Sequence, residues 1–219
     1  MKNMLPALVR KELFLVFHPM TLVVLGLSAL VLVPNWPYAV ILLYACLCPY
    51  FNAQSAREQR DLDFAETLPV SRRSMATARI IATTLVELLC VLLMLAFSLA
   101  RPIVGTPDSF VGMPPNLAFL GFSLLVFSVF DTVFFAMYYR DPMKFGVPFV
   151  LASLPTLIVM LAFEAAPYLS AAFAGLLARP GFENLAAQLV VFAVCLGIYC
   201  LGRIFAVRLA GRMFEKVDI

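Results

Sequence analysis

The chain has 219 residues, of which 63% are hydrophobic and 13% charged, with a formal net charge of +3 and a mean hydropathy of +0.97. A water-soluble fold of this length has too little interior to hide so much apolar side chain and would expose large greasy patches. The composition therefore excludes a soluble enzyme, a disordered chain and a nucleic-acid binder, and leaves an all-α integral membrane protein.

Residues 1–12 are basic and partly apolar and predict an interfacial helix. Residues 13–56 contain no Lys, Arg, Asp or Glu. At about 20 residues per crossing this run holds two spans. Pro34-Asn35-Trp36-Pro37 divides it, because proline limits a helix on either side and tryptophan favours the membrane interface. The spacing predicts spans over 13–33 and 37–53, then a charged loop over 54–79. Further spans are predicted over 80–100, 117–139, 145–163 and 184–205, with Pro148 and Pro155 as kink positions in the fifth. Residues 101–116 read as an external loop rich in proline and glycine. The segment 164–183 is too short to cross and return, so it predicts an external interfacial or re-entrant helix.

The basic residues orient these six transmembrane helices. With N and C termini cytoplasmic, the inner parts hold Lys2, Arg10, Lys11, Arg57, Arg60, Arg72, Arg73, Arg79, Arg140, Lys144, Arg203, Arg208, Arg212 and Lys216. That is 14 of the 16 cations, and only Arg101 and Arg179 fall outside. This is the asymmetry that the positive-inside rule requires. The single histidine, His18, is too few for most metal or haem sites. Cys46, Cys48, Cys90, Cys195 and Cys200 lie in apolar stretches and read as buried free thiols. Cys46 and Cys48 are spaced for a soft metal, but no histidine or carboxylate lies near them in sequence. No metal ligand set and no catalytic constellation emerges.

Residues 53–79 carry nine charges, and the order within them is informative. Ser55 to Thr67 reads as a short helix with an apolar stripe beside an acidic one. Pro69 stops it, and Ser71 can cap the next helix by accepting a backbone N–H. Arg72 and Arg73 follow the cap, where the helix dipole disfavours cations, so lipid phosphate, topology or a partner surface must account for them. Two readings stay open: a solvated loop that obeys the positive-inside rule, and a docking element.

Glu66-Thr67-Leu68-Pro69-Val70-Ser71-Arg72-Arg73, followed by Ala78-Arg79-Ile80, resembles the cytoplasmic loop of small six-span ABC type-2 transporter permeases. Met143-Lys144-Phe145-Gly146 is similar to a basic-Phe-Gly pattern at the start of their fifth span. The resemblance covers the whole chain in layout and about 30 residues in motif. It implies an exporter transmembrane subunit, whose loop forms a coupling helix seated in a separate cytoplasmic ATPase. Carried over by position, Arg57, Glu58, Asp61, Leu62, Asp63, Phe64, Glu66 and Leu68 would contact the ATPase; Arg72, Arg73 and Arg79 are expected at the inner surface from the charge pattern. It further implies a second permease copy or a sibling permease, a bacterial inner membrane, and an amphipathic substrate such as a peptide, drug or lipid-like molecule. No Gly-x-x-x-x-Gly-Lys-Ser/Thr phosphate loop occurs. ATP and Mg would therefore belong to the partner ATPase, and this chain would bind no cofactor.

Glu87 and Asp131 are the acidic residues well inside predicted spans, where ionisable groups cost about 2.5–3.5 kcal/mol on insertion scales. Glu87 lies about 12 Å from Arg79 along a helix, and Asp131 about 13–14 Å from Arg140, so the two share a depth. No basic residue is expected at that depth. They either line an inward-facing cavity or form a protonated interhelical hydrogen bond. Ala193 and Gly197 are spaced for close helix approach, and the phenylalanines of the fourth span read as core and lipid contact. Rival functions are an intramembrane enzyme, which lacks its usual motifs here, a proton-coupled carrier, and a non-transporting membrane partner such as an immunity or assembly factor.

Overall fold

The computed structural model describes residues 4–61, 64, 67, 69–108, 111–181 and 183–217. Among them the chain is helical, with one isolated bridge pairing Pro37 and Val111. In chain order the helices are α1 (Leu5–Lys11), α2 (Met20–Leu27), α3 (Ala39–Ala45), α4 (Leu47–Glu58), α5 (Arg72–Val104), α6 (Leu117–Tyr138), α7 (Gly146–Leu169), α8 (Ala171–Leu176) and α9 (Leu185–Phe214). A π turn, Glu12–Val16, extends α1, and a 3₁₀ turn, Ser28–Leu32, extends α2.

Five of these segments are long and apolar enough to cross a membrane: Ala39–Glu58, which joins α3 to α4, and α5, α6, α7 and α9. Their number and apolarity are compatible with a membrane protein. The predicted first span departs from this pattern. Leu5–Val16 and Met20–Leu32 meet at 90°, so the apolar run 13–33 is bent rather than straight. The cause is local. Pro19 lacks an N–H and pushes the residue before it out of the helical region. Phe17 is extended, and the His18 N–H donates to Asn52 Oδ1 at 3.0 Å instead of continuing the ladder.

Side-chain caps start two of the long helices, α5 and α6. Ser71 Oγ accepts from the Ser74 N–H at 3.2 Å and starts α5, as the sequence predicts. Gly105, at φ +72°, ends α5 in the left-handed conformation that glycine adopts without strain. Asn116 Oδ1 accepts from the Phe119 N–H at 3.0 Å and starts α6. Asn116 Nδ2 also donates to the carbonyls of Leu177 and Arg179, joining the two loops at that end of the bundle. At that end α7 continues through Pro155 and Pro167 to Leu169, so helix fills the first part of the predicted loop 164–183, and the six-residue α8 follows.

α6 is the central helix. It is apolar all round, as a helix enclosed by others must be, and Phe119, Phe127, Phe130, Phe134 and Phe135 are each 1% exposed or less. α9 packs against it closely. A side chain at Gly121 would meet the Phe192 backbone at 2.9 Å, and one at Gly202 would meet Ser128 Oγ at 2.0 Å. These glycines set the approach. Ala193 and Gly197, predicted for that role, face outward, and nothing lies within 4 Å of a Cβ placed on Gly197. The outer faces of α7 and α9 are broadly apolar and exposed, through residues such as Ile158, Leu161, Val190 and Leu201.

Candidate functional site

Two buried polar networks cross the helix bundle. The first joins α5, α6 and α9. Arg203 on α9 donates from Nη1 to Asp131 Oδ2 on α6, and its Nη2 lies 3.3 Å from Glu87 Oε2 on α5. Nη2 also donates to the Phe127 carbonyl at 3.0 Å, and the Tyr199 hydroxyl donates to Glu87 Oε2 at 2.8 Å. The guanidinium lies 4.5 Å from the centre of the Tyr199 ring, within cation–π range. All four side chains are buried. Three helices thus share one cluster of one cation and two carboxylates, and it is neutral only when it holds one proton.

This geometry corrects the expectation that Glu87 and Asp131 have no basic partner at their depth. The sequence places Arg203 at the inner surface because it ends a charge-free run. The helix continues past it through Ile204, Phe205, Ala206 and Val207. A cation flanked by apolar residues on both sides is the sequence signal for a buried partner. Glu87 and Asp131 themselves meet at one place, as their matched depth predicts.

The second network lies at the Arg72 end of α5. Arg79 donates from Nε to Glu12 Oε2 at 2.8 Å, from Nη2 to Asp61 Oδ2 at 2.9 Å and from Nη1 to the Tyr138 hydroxyl at 2.9 Å. Lys11 Nζ bridges Asp61 Oδ1 at 2.6 Å and Glu12 Oε1 at 3.2 Å. Two cations balance two carboxylates, and charge-assisted bonds of this kind are the strong class. The network ties α1 and its π turn, the segment after α4, and helices α5 and α6 into one unit. The widened π turn carries Glu12, an irregularity often found where helices do specific work.

The predicted loop residues divide by exposure. Arg57, Glu58 and Phe64 are exposed, Phe64 at 59% despite its apolar ring. Arg57 also lies 5.8 Å from the Phe145 ring centre at the start of α7. Asp61, grouped with them by its acidic stripe, is turned inward to Arg79 and is 8% exposed. Leu62, Asp63, Glu66 and Leu68 lie outside the described residues. Arg73 is exposed, Arg72 donates to the Val217 carbonyl near the end of α9, and Arg79 is buried rather than on a surface. Sequence reasoning missed Lys11, Glu12 and Tyr138 as partners of this group.

At the opposite end Arg101 is also buried. It donates to the carbonyls of Val31 and Pro107 and to the Tyr38 hydroxyl. A cation that organises three segments there has a structural reason to break the one-sided charge pattern. Four cysteines, Cys46, Cys48, Cys90 and Cys195, are buried, and Cys200 is exposed.

No protein-family model matches this chain, and neither the curated proteins nor the solved structures include a match to it.

Proposed function

We propose that this chain is the permease subunit of an ATP-driven exporter of the small six-span ABC type-2 kind, embedded in a bacterial inner membrane. The bent segment 5–32 would then be the first of six spans, with both termini cytoplasmic. The permease would pair with a second copy or a sibling permease, and two copies of a cytoplasmic ATPase would supply ATP hydrolysis.

The observation that carries this reading is the wiring of the loop after α4. The end of α4 presents Arg57 and Glu58 and the loop presents Phe64, a charged and aromatic surface suited to docking, while Asp61 fixes the same segment to Arg79 on α5. A force applied to the docked face would pass through Asp61 into α1, α5 and α6. Glu87, which belongs to the first network, lies about 12 Å further along α5 than Arg79. The Arg203 cluster therefore sits where a movement of α5 against α6 and α9 would be felt. Arg203 Nε has no hydrogen-bond partner among the described residues. A polar group on an amphipathic substrate would satisfy it once the helices part. The apolar outer faces of α7 and α9 suit lipid or a second permease.

The test is ATP-dependent uptake into inverted membrane vesicles that contain this chain and the ATPase that co-purifies with it. Cationic peptides, amphipathic drugs and fluorescent lipids serve as cargo. Accumulation of any of them that requires ATP and is lost in Asp61→Ala vesicles supports the reading. Vesicles with the ATPase bound but no ATP-dependent uptake of any cargo would favour a non-transporting partner.

A further inference from the structure

Arg79, Thr83 and Glu87 follow one another at four-residue spacing and so share one face of α5. Arg79 belongs to one buried network and Glu87 to the other. Between α5, the π turn and α4 lies a cavity of about 10 Å³, with Glu12, Asn52, Arg79, Thr83 and Val86 in its walls. That is about the least volume that admits a water, and the walls carry polar groups to hold one. In the opposite direction the next buried side chains of α5 are Cys90, whose Sγ lies 3.5 Å from Ser28 Oγ, and the apolar Val91 and Met94. Along α5, polar lining therefore approaches Glu87 from the Arg79 side.

The Glu87 and Asp131 side chains are also hydrogen-bonded to each other. Two ionised carboxylates have no proton to donate, so one of the pair is a carboxylic acid. The charge count agrees. Arg203 is the one cation paired with them among the described residues. Their other titratable neighbours, Tyr199 and the thiols of Cys46, Cys48 and Cys90, bring no positive charge. Asp131 takes the direct Arg203 bond and Glu87 takes the Tyr199 hydroxyl, so Asp131 is the ionised acceptor and Glu87 the acid. We infer that Glu87 is a proton-binding site, occupied in this packing of the bundle and exchanging with the Arg79 end through Thr83 and the cavity. Glu87 gives its proton to the Thr83 hydroxyl as that hydroxyl gives its own to a water in the cavity. The reverse step returns a proton to Glu87, so the completed exchange leaves the cluster neutral. The site needs only the folded chain, so its test is separate from that of transport.

The test is infrared spectroscopy of the purified chain in dodecyl maltoside, a detergent with no carbonyl to mask a carboxylic acid. The difference between wild type and Glu87→Gln at neutral pH should show one protonated carboxyl. The difference between wild type and Asp131→Asn should show the same single band, because either substitution leaves one carboxylate that Arg203 balances without a proton. The double variant should lose no more than either single one. Isotope-labelled glutamate should shift the band in the wild-type chain and labelled aspartate should not, which tests the assignment without any variant. On rapid mixing with heavy water the band should shift as the proton exchanges. Thr83→Val keeps the shape of the side chain and should slow that exchange by about tenfold, the worth of one hydrogen bond in the barrier. Thr84→Val, at a hydroxyl that bonds the Ile80 carbonyl and does not line the cavity, should exchange at the wild-type rate. No band lost in either single variant, two bands lost in the double variant, a shift with labelled aspartate, or equal exchange in Thr83→Val and wild type would overturn the inference.

Discussion

Arg203 on α9 donates to Asp131 on α6 and lies 3.3 Å from Glu87 on α5, so one guanidinium holds three helices together. Removing it strands two carboxylates in the core. Breaking a buried ion pair from one side costs about 3–5 kcal/mol, because the remaining charge has no partner. Arg203→Ala should lose that much stability, measured by unfolding in mixed micelles. The triple variant Arg203→Met, Glu87→Gln, Asp131→Asn should recover most of the loss. If Arg203→Ala unfolds with wild-type stability, the cluster does not hold the bundle.

The Arg79 network gives a graded prediction. Arg79→Ala removes the buried guanidinium between Glu12 and Asp61, leaving them Lys11 alone, and should cost about 3–5 kcal/mol. Asp61→Ala leaves Arg79 bonded to Glu12 and Tyr138, so its cost should be about 1–3 kcal/mol. Hydrogen exchange should locate the Asp61→Ala effect in residues 57–70, with the centre of α6 unchanged. Uniform acceleration across all helices would show that Asp61 serves general stability instead of anchoring the loop.

Glycine substitutions separate true close contacts from small residues that only look like them. Gly121→Ala drives a methyl group into the Phe192 backbone, which cannot rotate away, and should cost about 1–3 kcal/mol. Gly202→Ala meets the Ser128 hydroxyl, which can turn, and Ser128 Cβ at 3.3 Å, and should cost less. Gly197→Ala meets nothing within this chain and should stay within about 0.5 kcal/mol. Thermal unfolding of the three variants in one detergent checks the order.

The contrast between Gly197 and Gly121 shows what the sequence carries and what it hides. Long helices are legible because apolar runs end at charges and caps, and Ser71 starts α5 where its side chain predicts. A four-residue spacing of small residues says that close approach is possible, but the partner helix decides which face is used. The bend at His18-Pro19 is legible only in part. Proline marks the position, but the hydrogen bond to Asn52 that holds the turn joins residues 34 apart. Arg203 was obscured because a cation at the end of a run is usually at a surface. Its partner Asp131 is 72 residues away, and that pairing exists only after α6 and α9 pack. Asp61 follows the same logic, since its helical spacing groups it with Glu58 whereas the fold gives it to Arg79.

Docking through the exposed loop makes a separable prediction. Phe64→Ala and Glu58→Arg alter side chains outside both buried networks. Each should leave unfolding within about 0.5 kcal/mol of wild type, as surface changes do. A loss of stability well beyond that would mean the loop packs on this chain and is not free for a partner.

The coupling-loop proposal is tested most directly by isolating the wild-type chain and the Phe64→Ala, Glu58→Arg variant from membranes at native expression under mild detergent. A nucleotide-hydrolysing subunit should accompany the wild type and be reduced by about tenfold or more with the variant, as expected for loss of an aromatic anchor and reversal of a charge. Recovery of a well-folded wild-type chain without such a subunit, or equal recovery of it with both chains, would contradict the proposal.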